Sequence, residues 1–141
     1  MMMESVKEQI LKILNGSHIG TMATISGGKP YSRYMTFKNK DFVLYTVTEK
    51  NSDKVEDLLE NPYTHILYGY ESEGFGDAFV EIEGKVTKFD DEALKLKIAE
   101  FFSGIFFHEK GDMVMLKIEP IRMRLMNKKG EPPKELEFPL E

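Results

Sequence analysis

Arg33, Ser52 and Lys54 are residues of this chain whose types and spacing suit one task together. Arg33 stands inside the run Gly28-Lys29-Pro30-Tyr31-Ser32-Arg33-Tyr34-Met35-Thr36-Phe37, which reads as an extended strand following a turn. Ser52-Asp53-Lys54 reads as the start of a helix. A guanidinium, a hydroxyl, an ammonium and free helix N–H groups are what a phosphorylated ligand needs. Singly, each residue has an ordinary explanation. An arginine in a strand is most often a solvated side chain. A lysine in the first turn of a helix is commonplace, although the helix dipole disfavours it there. A bound phosphate would remove that penalty, and each charge-assisted hydrogen bond to it would contribute about 1.5–3 kcal/mol. Arg33 and Lys54 near one helix start therefore say more than either alone. Thr46 and Thr48 are either plain strand residues or hydroxyls offered to a flat heterocycle.

Other chemistries find little support. The chain has no cysteine, which excludes disulfides, thiolate metal sites and a cysteine nucleophile. His18, His65 and His108 show no metal-ligand spacing, and no metal is expected. Neither a Gly-x-Ser-x-Gly elbow, a Walker loop nor a Gly-x-Gly-x-x-Gly run is present. Glu81, Glu83 and the acids of the later helix read as solvated faces. Phe101-Phe102 and Phe106-Phe107 read as core or dimer contacts, with an exposed partner patch as the rival. The net charge of −5 argues against a broad nucleic-acid surface but leaves room for a local anion site. With no apolar run of signal or membrane-spanning length, a soluble cytoplasmic protein without membrane partners is expected.

The elements that must position these residues follow from periodicity. Ser5-Val6-Lys7-Glu8 matches a capping box, and Val6, Ile10, Ile13 and Leu14 recur at helical spacing up to Asn15-Gly16. A first strand spans about Ile19 to Ile25, with turn residues Ser26-Gly27-Gly28-Lys29. A second runs from Pro30 to Phe37. Lys38 to Asp41 forms a turn, and a third strand starts at Phe42, completing an antiparallel meander. The helix from Ser52 carries Val55, Leu58 and Leu59 and stops at Asn61-Pro62. A fourth strand covers His65 to Tyr70, and Glu71 to Asp77 is a loop. Ala78 to Lys88 alternates as a fifth strand, with a bulge expected at Gly84. Asp90-Asp91-Glu92 caps a third helix bearing Leu94, Ile98, Phe101 and Phe102. Met113–Ile118 and Ile121–Met126 read as two further strands, while Asn127–Pro133 and the acidic tail look loosely held. The 141 residues fit one domain with a sizeable core. The expected class is α+β, mostly β: a barrel of six or seven antiparallel strands with about three peripheral helices.

Gly20-Thr21-Met22-Ala23-Thr24, Gly28-Lys29-Pro30 and Arg33-Tyr34-Met35, followed by Leu44-Tyr45-Thr46, Ser52-Asp53-Lys54 and Asn61-Pro62, resemble a known pattern. It is that of the pyridoxamine 5′-phosphate oxidase-related, FMN-binding split-barrel proteins. Length and strand order are most similar to the bacterial general-stress flavoprotein branch. The resemblance covers roughly Val6 to Asp90 closely and the remainder in outline. It implies a single FMN-binding split-barrel domain over residues 1–141, acting as a flavin-dependent oxidoreductase linked to stress. The alternative within the same barrel is a non-catalytic module that binds or senses flavin, deazaflavin (F420) or haem. It further implies that Arg33, Ser52 and Lys54 hold the FMN phosphate. Tyr34, Met35 and Thr36 would run along the flavin ring, with Tyr45 and Thr46 on the neighbouring strand. Lys38 matches a lysine near the oxidase's vitamin substrate. The chain departs from the oxidase pattern at Asp53, where a second basic residue stands, and at Arg122-Met123-Arg124, which lacks the histidine of the Arg-x-His motif. Vitamin B6 oxidation is therefore not expected. A homodimer with flavins at its interface is the family habit, and no catalytic acid or base is assigned.

Overall fold

The computed structural model describes residues 5–49, 52–70, 77–87, 92–103, 113–126 and 130–140 of the chain. The side chains of Asp53, Ser103 and Met113 fall outside that description, as do the expected Asp90-Asp91 cap, Phe106-Phe107 and most of the Glu71–Asp77 loop. In chain order the elements are α1 (Val6–Asn15), β1 (Ile19–Ser26), β2 (Lys29–Thr36), β3 (Lys38–Lys40) and β4 (Val43–Glu49). These are followed by α2 (Asp53–Glu60), β5 (Tyr63–Tyr68), β6 (Phe79–Thr87), α3 (Glu92–Ser103), β7 (Met113–Met126) and β8 (Lys134–Glu137).

Every strand pairing is antiparallel, in the order β2-β1-β5-β6-β7-β4-β3, with β8 also on β7. The two ends of that order, β2 and β3, are separated in the chain by Phe37 alone. A sheet whose first and last strands share one linking residue has to curl until its edges meet. Phe37 is fully buried at the joint, and its N–H donates to the His18 carbonyl at 2.6 Å. The edges touch without forming a ladder: the Thr46 hydroxyl donates to the Thr36 carbonyl at 2.8 Å. The result is an α+β split half-barrel, as the residue pattern implies.

Its core follows the alternation of the strands. Met22, Ile66, Tyr68, Val80, Ile82, Ile118 and Met123 point inward, and Ile10 and Leu14 of α1 close one end. The Ser5 hydroxyl caps α1 by accepting from the Glu8 N–H at 3.2 Å. Gly16 ends the helix at φ −95°, so no left-handed residue is used there. β4 is buried on both faces from Leu44 to Thr48 because α3 covers its outer side with Ile98 and Phe102.

Five details differ from the sequence expectation. The expected meander is broken: β4 pairs with β7 and β3, and it meets β2 at the Thr36–Thr46 hydrogen bond without forming a ladder with it. Lys38–Lys40 forms the short strand β3, and the turn moves to Asp41, whose φ of 52° an aspartate tolerates. Met113–Met126 is one strand of 14 residues rather than two. Its register slips between Glu83 and Gly84, where Pro120 lies opposite Gly84 and a proline's missing N–H is tolerated. The first half of β7 pairs with β4 and the second with β8. The acidic tail is not loose. Glu135 and Glu137 pair in register with Arg124 and Arg122, and Phe138 packs on Phe42 at 5.3 Å. On α2, Val55 and Leu58 face inward, but Leu59 is 68% exposed, one step too far around a short helix.

Candidate functional site at the barrel seam

The site begins with the β1–β2 hairpin. Gly27 and Gly28 hold φ of 56° and 77°, the two positive values that a tight two-residue turn requires. That turn sets Met22 opposite Arg33 and Thr24 opposite Tyr31. Residues opposite one another share a face. Because Met22 is buried, Arg33 and Met35 are turned to the barrel side and Tyr34 to the outside.

Arg33 is half-buried, and its Nη2 donates to Thr24 Oγ1 at 3.1 Å. A neutral hydroxyl orients the guanidinium, and among the described residues no carboxylate forms an ion pair with it. Lys54, in the first turn of α2, donates from Nζ to Met35 Sδ at 3.2 Å. Burial lowers the Lys54 pKa from its ordinary value of 10.5, and the nearby Arg33 lowers it further, while Glu49 partly offsets both. Two cations thus converge where α2 starts, and among the described residues neither forms an ion pair. Ser52 caps α2 in backbone conformation only. Its hydroxyl lies 3.3 Å from that of Thr48 rather than on a helix N–H. Thr46 and Thr48 are both buried, so they are seam residues rather than plain strand surface.

The structure therefore brings Arg33, Met35, Thr36, Thr46, Ser52 and Lys54 together along the seam. It separates two side chains from them. Tyr34 is 82% exposed on the outer face. Tyr45 is buried with Val47, Ile98 and Phe102 beneath α3. Lys38 lies over the Phe101 ring, 5.4 Å from its centroid, and that ring also packs on His18 at 5.0 Å. Thr24 and Tyr31 belong to the site and escaped notice in the sequence. The Gly-Gly turn was the available signal, since its register puts Thr24 diagonal to Arg33. Beyond Arg33 lies a cavity of about 320 Å³ lined by Ser26, Tyr31, Arg33, Glu56 and Asp57. No group of residues suited to a metal ion occurs among the described residues. Nor is any described helix long and apolar enough to cross a membrane.

The outer face of the sheet is divided. On β6, β7 and β8 it is a ladder of charge: Arg122 contacts Glu83 at 2.9 Å and Arg124 contacts Glu135 at 3.4 Å. On β2, β1 and β5 it is apolar, with Tyr34, Ile19 and Leu67 exposed. They line a groove of about 750 Å³ together with His18, Tyr70 and Phe79.

The family model described as pyridoxamine 5′-phosphate oxidase matches residues 6–127. General stress protein 26 of Bacillus subtilis (strain 168) is 42% identical over 137 residues, covering 96% of this chain and 98% of that protein. The crystal structure of General Stress Protein 26 from Bacillus anthracis superposes with a TM-score of 0.79 at 30% identity, covering 94% of this chain and 98% of that one. A haem-binding protein from Mycobacterium smegmatis shares the fold alone. It has a TM-score of 0.82 at 16% identity, with 97% of this chain and 60% of that one covered. Ordered motifs, curled sheet and close relatives agree, and the chain belongs to the pyridoxamine 5′-phosphate oxidase family.

Proposed function

We propose that the chain binds FMN at the seam and acts as a flavin-dependent oxidoreductase with a role in stress. The convergence of Arg33 and Lys54 at the start of α2 carries this reading. Two cations that form no ion pair among the described residues, a hydroxyl and helix N–H groups form a receptor for a phosphate. Arg33, Ser52 and Lys54 would hold it. Met35, Thr36 and Thr46 would flank the ring, and the backbones at Tyr34 and Tyr45 would extend its floor. Bound flavin would supply the hydride chemistry, leaving the protein to position it and to tune its electrostatics. The stress role rests on the likeness to the two general stress proteins.

A flat ring also needs a second wall, and a half-barrel supplies one. Tyr34 lies between Arg33 and Met35 in the chain, so whatever covers the apolar outer face stands one residue from the seam. We assign that cover to a second copy of the chain, in a homodimer. Haem suits the seam less well. Of the two described histidines, His65 lies 3.8 Å from Glu81 on the outer face and His18 packs on Phe101, so neither offers an axial ligand there.

The test is FMN titration of the purified chain and of R33A/K54A. Stoichiometric binding by the wild type and a loss of at least about a hundredfold in the double variant are expected from two charge-assisted bonds. Unchanged affinity would sink the reading. Reduction of the bound flavin by NADH or NADPH, followed by repeated turnover with an acceptor, separates the enzyme from a non-catalytic flavin carrier.

A further inference from the structure

The geometry points to Glu56 and Asp57 as the residues that restrict this site to ligands ending in a phosphomonoester. They would act against relatives whose phosphate continues into an anionic tail. On the phosphate reading of Arg33 and Lys54, β2 followed against its chain direction and α2 followed along its own lead to the same place. On β2, Met35, Arg33 and Tyr31 alternate on one face, with about 7 Å between successive side chains. A ligand with its ring at Met35 and its phosphate at Arg33 has its next atoms directed toward Tyr31. On α2, Asp57 stands three residues beyond Lys54, about 4.5 Å further along the same side of the helix, and Glu56 is beside it. Both directions end in the 320 Å³ cavity, which Arg33 and Tyr31 of β2 line together with Glu56 and Asp57 of α2.

The sign of the potential thus reverses across the phosphate position. A monoester terminates where the charge is positive. A phosphodiester with carboxylates beyond it must bring them against two carboxylates of the protein. That repulsion costs about a factor of ten in affinity at surface-like dielectric, and added salt weakens it.

Three probes test this on the full chain: FMN, a deazaflavin 5′-monophosphate, and the same deazaflavin carrying an oligoglutamyl tail through a phosphodiester. The readout is the ratio of the two deazaflavin affinities, compared with that of E92Q/E131Q, which makes the same change of net charge as E56Q/D57N away from the cavity and so removes any general effect of charge. The wild type is expected to bind the monophosphate at least about tenfold more tightly than the tailed form, by less at high salt. E56Q/D57N should bring the ratio near one, and E56K/D57K should invert it. The milder pair keeps the measurement decisive if the charge reversal impairs folding. A wild-type ratio near one overturns the assignment of Glu56 and Asp57. So does a ratio unmoved by both variants in a chain that still binds FMN. A wild type that binds none of the three probes overturns the phosphate reading itself.

Discussion

Lys54 is held where its charge is poorly solvated and close to a second cation. Its folded-state pKa lies below 10.5 for those two reasons, in that order. The sign of the linkage follows. In the ligand-free protein the charged ammonium is disfavoured relative to the unfolded chain, so a penalty is present at neutral pH. The penalty fades as pH rises through the lowered folded value toward 10.5. Replacing Lys54 with glutamine should therefore raise the melting temperature of the ligand-free protein near pH 7. That advantage should shrink as the pH approaches 10. The same variant should weaken FMN by about tenfold or more. Thermal melts across that pH range check the first effect, and a K54Q protein that melts lower at pH 7 would contradict it. Arg33 and Lys54 were legible in the sequence through the order of the family's motifs. Thr24 was not, because its relation to Arg33 exists only once the hairpin register is set. Tyr45 illustrates the converse: the motif includes it, yet α3 buries its side chain away from the seam.

At the scale of elements, β6 and β7 show how a single position shapes the sheet. A Cβ on Gly84 would stand 2.6 Å from Ile118 Cγ2 and 3.2 Å from the Glu119 carbonyl oxygen. Ile118 is 1% exposed and has no room to withdraw. Gly84→Ala should cost about 1–3 kcal/mol by overpacking. Urea unfolding checks this, and a change below about 0.5 kcal/mol would show that the bulge absorbs the methyl group. The bulge was readable because a lone glycine broke an otherwise regular alternation. The unity of β7 was not, since Glu119-Pro120 looks like a break when the partner strand is unknown. β8 was missed for a related reason. Lys-Glu-Leu-Glu is too short and too polar to stand out, and it is a strand only because Arg122 and Arg124 wait opposite Glu137 and Glu135.

For the molecule as a whole, the α+β barrel class could be read from many short strands separated by three helical patterns. The order of strands could not. Local pairing rules favour a meander, and the actual neighbour of β4 arrives about seventy residues later, at Leu44↔Ile118. The surface has its own logic, with charge on one half of the outer face and exposed aromatic and aliphatic groups on the other. If a second copy covers the apolar half, Tyr34→Glu should convert a dimer into a monomer with unchanged circular dichroism. It should weaken flavin binding in parallel. Sedimentation at several concentrations checks this, and a wild type that sediments as a monomer would refute the dimer.

The joint at Phe37 also bears on the order in which the protein is assembled. The first wall of the seam, β2, leaves the ribosome within the first 37 residues, and its hairpin can form at once from local contacts. The second wall, β4, follows immediately and pairs at once with the short β3, yet its longer partner, β7, begins only at Met113. During most of synthesis β2 is therefore ready while β4 pairs only with the three-residue β3 and lacks its long partner. The seam closes only after β7 has emerged, and on the FMN reading the cofactor would be taken up only from that point on. Cofactor loading would thus report the arrival of β7, since a chain ending before it carries Arg33, Ser52 and Lys54 but lacks the strand that pairs along β4, whose Thr46 meets β2 at Thr36.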